Sequence, residues 1–453
     1  MRNGSRKGGH VHYAHIVAAD MGYGHERPAR SLEYLAVKGE GVVVANNYPG
    51  IPKKDRAVWQ KSRQFYETMS RLKSIPLIGD VLFETLVDKG QEVALFYPRR
   101  DLSHPTIQLR QMYTGIRAGL GRHLIEKLAK NPVPIITTFF YVAFMAEEFD
   151  YPGDIWCVTT DADISRAWAP WDPKKSRIHY IVGNGRCAER LKLYGVRDEF
   201  IHLTGFPLPP DLIGGIDAPV LKTDIIRRMC ALDPKGIFRS FHAQVLDSHL
   251  GKGVCPMTQN GHVPTVMFAI GGAGAQEKLA KTILKSLAHV LARGEIKLIL
   301  MAGARPGLGE RLKKEAQRLH LGSLLNKTLV IKSYKRRATY FSAFHELLHS
   351  VDILWTKPSE LSFYAGLGIP ILIAPPVGSQ ENFNRKWIEQ VGGGVFMEDP
   401  RYAGEWLMDW IASGAFARMA WNGYISAPTH GTYRIEAIVF GEDMPIHTLP
   451  LIV

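Results

Sequence analysis

The chain has 453 residues, too many for one hydrophobic core and enough for two domains of ordinary size. An apolar fraction of 46% and a charged fraction of 22% are those of a globular protein and exclude a disordered one. A formal charge of +13 and a pI near 9.4 point to an anionic partner (nucleotide, nucleic acid or anionic lipid surface) without choosing among them. The basic start, MRNGSRKGGHVHY, has no apolar segment of signal-peptide length behind it. The longest apolar run, Ile135 to Ala146, falls short of the ~20 residues a spanning helix needs, so membrane contact is expected to be peripheral. Cys157, Cys187, Cys230 and Cys255 show no metal-ligand spacing. Cys157, in a strand-like run, reads as a buried free thiol, which fits a reducing compartment and a cytoplasmic protein.

VHYAHIVAA (11–19) reads as the first strand. The loop DMGYGHERP follows, then a helix from Ala29 to about Val37 with Pro28 in its first turn. Gly22 and Gly24 permit close backbone approach around Tyr23, and His25 sits at the mouth of the turn. A second strand is expected over Gly41–Asn46. Residues 53–130 read as mostly helical and amphipathic, rich in Lys, Arg and aromatics. This stretch is either a layer covering the sheet or a basic, aromatic face that meets a lipid surface or the acceptor.

PIITTF, DIWCVTTD, RIHYIVGN and EFIHLTGFP then alternate with helices, the signature of a doubly wound parallel sheet. Asp161 follows one strand end, where such sheets bind ligands. From Leu208 to Pro264 the pattern breaks into proline- and glycine-rich, then basic and irregular, sequence. A second series, VMFAI, KLILMAG, LVIKSY, ILWTK and PILIAPP, starts at Val266. The tail reads as one helix, YAGEWLMDWIASGAFARMAWNGY, a polar break and YRIEAIVFG, packing across the domains.

VMFAIGGAGAQ sits at the centre of this plan. A buried strand, a turn of Gly271, Gly272, Ala273 and Gly274, and a helix N-terminus form an anion site whose backbone N–H groups and dipole favour phosphate. Any α/β protein has such turns, so the signal gains weight from the second glycine turn at Gly22–Gly24 and the polar loop at Gln380–Asn384. The alternative for that loop is a plain helix start with Ser379 as cap.

Four stretches in order resemble the GT-B glycosyltransferases, within them the family (glycosyltransferase family 28) of monogalactosyldiacylglycerol synthase and the lipid-II N-acetylglucosaminyltransferase. They are MGYGHERPA, TTDADISRAWAPWDPKKSRIHYIVGNGRCAERLKLYGVRDEFIHLTGFPLPPDL, AIGGAGAQ, and ILWTKPSELSFYAGLGIPILIAPPVGSQENFN. The resemblance implies an α/β GT-B fold, two Rossmann-like doubly wound domains with a cleft between them and a C-terminal helical segment. The domains would be 1–215 (acceptor side, with a helical insertion at 53–130), a linker and basic insertion at 216–263, a donor domain at 264–420, and a tail at 421–453.

It further implies inverting transfer of a sugar from a nucleotide sugar, UDP-sugar by family, to a hydroxyl acceptor such as a lipid, with no obligatory metal or other cofactor. His25 would be the base and Asp161 its orienting or acceptor-binding partner. Gly271, Gly272, Ala273 and Gly274 would hold the diphosphate, and Arg305 would add charge to the leaving group. Lys357, Gln380, Glu381 and Asn384 would meet the donor. Phe363 stands seven residues before Pro370, where the family carries a ribose-binding Glu, and Glu360, one turn earlier, is the substitute. The other readings are a nucleotide-sugar binding protein of the same fold without turnover and a nucleotide-sugar epimerase. A dehydrogenase is disfavoured because the first turn lacks full GxGxxG spacing. Nucleic acid would rest on net charge alone.

Overall fold

The computed structural model describes residues 12–72, 93–252, 262–271, 276–305, 307–376 and 379–443. Two six-stranded, all-parallel sheets organise them. The first comprises β1 (His15–Ala18), β2 (Val42–Val44), β3 (Ile135–Thr137), β4 (Ile155–Val158), β5 (His179–Val182) and β6 (Ile201–Leu203), in the order β2-β1-β3-β4-β5-β6. The second comprises β7 (Thr265–Ala269), β8 (Lys297–Met301), β9 (Leu329–Lys332), β10 (Ile353–Thr356), β11 (Ile371–Ile373) and β12 (Gly394–Phe396), ordered β12-β11-β10-β7-β8-β9. Each sheet therefore reverses direction beside its first strand, between β1 and β3 and between β7 and β10. Such switch points open a crevice at the carboxyl ends of the strands.

The strands form where the sequence is apolar without interruption. Ile135-Ile136, Ile155-Trp156-Cys157-Val158 and Val266-Met267-Phe268 are buried throughout, because helices cover both faces of each sheet. Edge strand β12, in VGGGVF, carries too short and glycine-rich a run for the sequence to announce it. One face of the first sheet packs beneath the helices Ile107–Arg117, Arg122–Leu128, Phe140–Glu148 and Gly185–Leu193. On the other face Ile16, Ile136, Trp156 and Ile181 meet Ala29 of the first helix and Ile435 and Val439 of the last.

That last helix, Gly431–Phe440, carries the tail back from the second sheet to the first. Its start lies against the TGFPL segment. Arg434 donates to the Thr204 carbonyl at 3.1 Å, and the Thr432 hydroxyl donates to the Leu208 carbonyl. At Gly431 a Cβ would stand 2.1 Å from the Phe206 carbonyl oxygen, so only glycine allows this approach.

Four local expectations are revised. The first helix spans Tyr23–Ser31, so its N-terminal turn contains Gly24 and His25. Pro28 lies inside it, and the helix is held by burial of Ala29 and Arg27 despite the missing N–H. The stretch read as irregular and basic contains two helices, Pro219–Leu232 and Ile237–Leu250. The first buries Leu221, Ile225 and Met229 in the core of the second half. The tail helix read as continuous breaks at left-handed Gly414 into Ala403–Ala412 and Ala415–Ser426. Finally, Cys157 and Cys187 are buried free thiols, but Cys230 is disulfide-bonded, so the cysteines do not argue for a reducing compartment.

Candidate functional site

A cavity of about 230 Å³ opens beyond the carboxyl ends of the first sheet's strands. His25, Asp161, Asp163 and Trp168 of the first half line it, together with Phe139 after β3; Gln380 enters from the second half. Gly22, with φ 123°, turns the chain out of β1 in a conformation that side-chain-bearing residues avoid. The Tyr23–Ser31 helix then begins at once and places His25 in its first turn.

The His25 Nδ1 lies 2.8 Å from the Thr138 carbonyl oxygen, and the Thr138 hydroxyl donates back to the His25 carbonyl at 2.5 Å. A carbonyl only accepts, so Nδ1 carries the proton and Nε2 keeps the lone pair. The imidazole meets Phe139 edge-on at 4.8 Å between centroids. Burial pushes its pKa down to about 4, against smaller opposing effects of the Thr138 carbonyl and the Glu360 charge. At neutral pH the ring is therefore an uncharged proton acceptor held in one tautomer.

Asp161 behaves oppositely. Burial pushes its pKa up to about 6, and the Glu360 and Glu381 charges add to this, while a hydrogen bond from Asn384 opposes it. Asn384 Nδ2 donates to Asp161 Oδ1 at 2.8 Å, and its Oδ1 accepts from the Ala162 N–H at 2.7 Å. Both ends of this fully buried amide thus tie the Ser379–Gln390 helix to the loop after β4. Next along that helix's first turn, Glu381 pairs with Lys357, whose stem packs over Gly271. The Gly271 N–H points to Gln276 Oε1 at 3.3 Å. Gly272, Ala273 and Gly274 lie outside the described residues. Arg305 is half-buried in the loop after β8, beside Ala304, whose N–H donates to the Tyr23 hydroxyl at 3.1 Å.

Glu360 faces the first half rather than open cleft. Its carboxylate accepts from Arg27 Nε at 3.0 Å, with the two side chains 5% and 1% exposed, and it stands against Gly24. Arg27 also donates to the Tyr340 hydroxyl at 3.0 Å and lies 4.1 Å from the Phe344 ring centroid. Beside it Arg337 pairs with both Asp20 and Glu26. Phe363 is buried and stacks on Phe206 at 4.5 Å, joining the halves at another point.

The structure thus gathers His25, Asp161 and Gln380 around one cavity. It places Gly271, Lys357 and Glu381 together at the corner after β7 and β10, and commits Asn384 and Glu360 to bonds between the halves. Sequence reasoning missed Arg27, Arg337 and Tyr340. Arg27, in the HERPAR stretch, carries no signal of its own, because its neighbours on the helix (Tyr23, Gly24, Arg30 and Ser31) form no apolar stripe and its partners lie more than 300 residues away. It also missed Asp163, fully buried and held by Arg190 through two 2.8 Å bonds.

No protein-family model matches the chain. It is 22% identical over 398 residues to a processive diacylglycerol beta-glucosyltransferase of Bacillus pumilus, an overlap covering 84% of this chain and 82% of the relative. The chain is GT-B glycosyltransferase-like. The GT-B halves correspond to the two sheets, with the helical C-terminal segment returning to the first. Among solved structures, the chain is similar to MurG of Acinetobacter baumannii, with TM-score 0.45 and 10% identity over 95% of this chain and 99% of that one. It is also similar to S. aureus MnaA bound to UDP, with TM-score 0.47 and 12% identity over 95% and 96%. Among the described residues, no three His, Cys, Asp or Glu are grouped to hold a metal, and no helix is long and apolar enough to cross a membrane.

Proposed function

We propose that this GT-B protein is an inverting glycosyltransferase that moves a sugar from a UDP-sugar to a hydroxyl acceptor, with a lipid as the acceptor class. The observation that carries the reading is His25, whose Nδ1 is anchored on the Thr138 carbonyl while the ring lines a cavity with Asp161 and Gln380. Nε2 takes the acceptor proton as the hydroxyl oxygen attacks the anomeric carbon. The bond to the nucleoside diphosphate breaks on the opposite face, and Lys357, Arg305 and the amides after β7 receive the departing charge.

Asp161 orients the acceptor hydroxyl, and Gln380 reads the donor sugar. Residues 1–215 form the acceptor side and 264–420 the donor side, joined through 216–263, with 421–453 as the returning tail. The aromatic lining of the cavity, with Trp59, Phe139, Phe140 and Trp168, suits an acyl-bearing acceptor, and the lipid substrate in the name of the curated relative supports the same class. The net charge of +13 suits peripheral contact with an anionic membrane at the inner face of the cell membrane.

The test is turnover of a panel of UDP-sugars with diacylglycerol in mixed micelles. Wild type transfers sugar, and His25→Ala lowers kcat by about 10²-fold or more with unfolding midpoint retained. Full activity in that variant removes His25 from the mechanism. A second reading, nucleotide-sugar binding without turnover, is favoured by one observation: Glu360 is spent on Arg27 and Phe363 on Phe206, leaving neither to hold a ribose. Tight UDP binding with no transfer or hydrolysis across the panel would select it.

A further inference from the structure

The Tyr23–Ser31 helix that presents His25 is joined to the chain leaving β1 through Gly22, whose φ of 123° makes a pivot that glycine adopts without strain. Successive side chains stand about 100° apart around a helix, so His25 and its neighbours face different ways. His25 faces the first half, with Nδ1 on the Thr138 carbonyl and its ring against Phe139. Tyr23, Gly24, Glu26 and Arg27 all meet the second half instead. The Tyr23 hydroxyl accepts from the Ala304 N–H at 3.1 Å and lies so close to Gly303 that a Cβ there would stand 2.8 Å from it. Its ring is 4.8 Å from that of Tyr340 and 5.5 Å from that of Phe341, packed on the core of the second half. Glu360 stands against Gly24 and pairs with Arg27, which also donates to the Tyr340 hydroxyl at 3.0 Å. Arg337 pairs with Asp20 on the strand side of the Gly22 pivot and with Glu26 on the helix side.

Three elements of the second half thus form a clamp on this helix: the loop after β8, the Arg337–Leu348 helix, and Glu360 at the start of the short helix Glu360–Leu367. Further along, Ala29 is buried against the first sheet, so the two ends of the helix are pinned by different halves. We infer that the second half positions the base: Tyr23, Glu26 and Arg27 are positioning residues that transmit the placement of the second half to the His25 ring. The positioning stands on these contacts; its catalytic consequence rests on the transferase reading above. In-line displacement needs the base and the charge that receives the leaving group on opposite faces of the sugar, at a set separation. His25 belongs to one half and Arg305 to the other. The hydrogen bond between Tyr23, two residues before His25, and Ala304, next to Arg305, sets that separation.

The experiment follows the His25 ring by NMR in the full chain with isotope-labelled histidine, its signals assigned by their loss in His25→Asn. Tyr23→Phe and Tyr340→Phe each remove one hydroxyl of the clamp, from opposite halves, and keep the ring. Tyr433→Phe is the matched control: its hydroxyl also accepts a backbone N–H, that of Gly215 at 2.9 Å, but ties the tail to the linker. In wild type the ring titrates at about 4, with burial the largest influence. Glu360 acts on it through its charge, and Asp161 and Asp163 line the same cavity; all three stay in place in these variants. A ring less firmly held is less buried, so the midpoint is expected to rise by about one pH unit in both clamp variants and not in Tyr433→Phe. In transfer assays the clamp variants lose about ten-fold in kcat, with the donor KM within about two-fold of wild type. An unmoved midpoint in both clamp variants, or an equal rise in Tyr433→Phe, overturns the inference. A raised donor KM with unchanged kcat overturns its catalytic consequence. A rise confined to the clamp variants, in a protein that transfers no sugar, supports the positioning and refutes the transferase reading instead.

Discussion

Glu360→Gln separates the two roles open to that residue. The Arg27–Glu360 pair is buried, 3.0 Å apart, and joins the two halves. At that distance the attraction is worth about 5 kcal/mol in an effective dielectric of 20, before the cost of desolvating both ions. Removing one partner of a buried pair typically destabilises by about 3–5 kcal/mol, because the other charge is left uncompensated. The glutamine carbonyl still accepts from Arg27, and the Tyr340 hydroxyl and Phe344 ring remain in place. We therefore expect a loss near the lower end, about 3 kcal/mol, in urea unfolding followed by tryptophan fluorescence. Arg27→Met combined with Glu360→Gln should recover part of it, since the orphaned cation is gone, and a double-mutant cycle gives the coupling directly. A loss in the single variant below about 1 kcal/mol, the range of exposed pairs, would refute the reasoning. A raised KM for the donor with unchanged stability would instead assign Glu360 to the ribose.

The pH dependence carries two opposed contributions. His25, near 6.5 unfolded and about 4 folded, makes stability fall as pH drops from ~6.5 to ~4, whereas Asp161, about 6 folded and 3.8 unfolded, makes it rise as pH drops from ~6 to ~4. Wild type should show little net change from this pair, with His25→Asn gaining and Asp161→Asn losing relative stability toward pH 4; parallel curves for all three in urea titrations would contradict it. If transfer needs ionised Asp161, the acid limb of kcat/KM falls near pH 6 and Asp161→Asn moves what activity remains toward the His25 value; a limb unmoved by the substitution would exclude this assignment. Gly431→Ala drives a methyl into the Phe206 carbonyl and should cost about 3 kcal/mol or more, or detach the last helix, seen as early amide exchange over 431–440; wild-type stability would refute the contact.

Composition and alternation alone carried the architecture. Continuous apolar runs separated by amphipathic ones dictate strands covered on both faces, and that period repeats on either side of the Leu208–Pro264 break. The turns at Gly22–Gly24 and Gly271, and Asp161 at a strand end, were legible because residues after strand ends converge in any doubly wound sheet. What sequence could not contain was who faces whom. Arg27 and Glu360 are 333 positions apart, as are most partners across the cleft within a hundred or so, and no local rule couples them. Asn384 looked like a sugar-reading amide, and tertiary packing gave both its ends to the opposite half. The His25 tautomer likewise depends on a carbonyl 113 residues away. Local preferences act over a turn of helix or a strand pair, whereas charge pairing and burial act through space and are decided only when the two sheets meet.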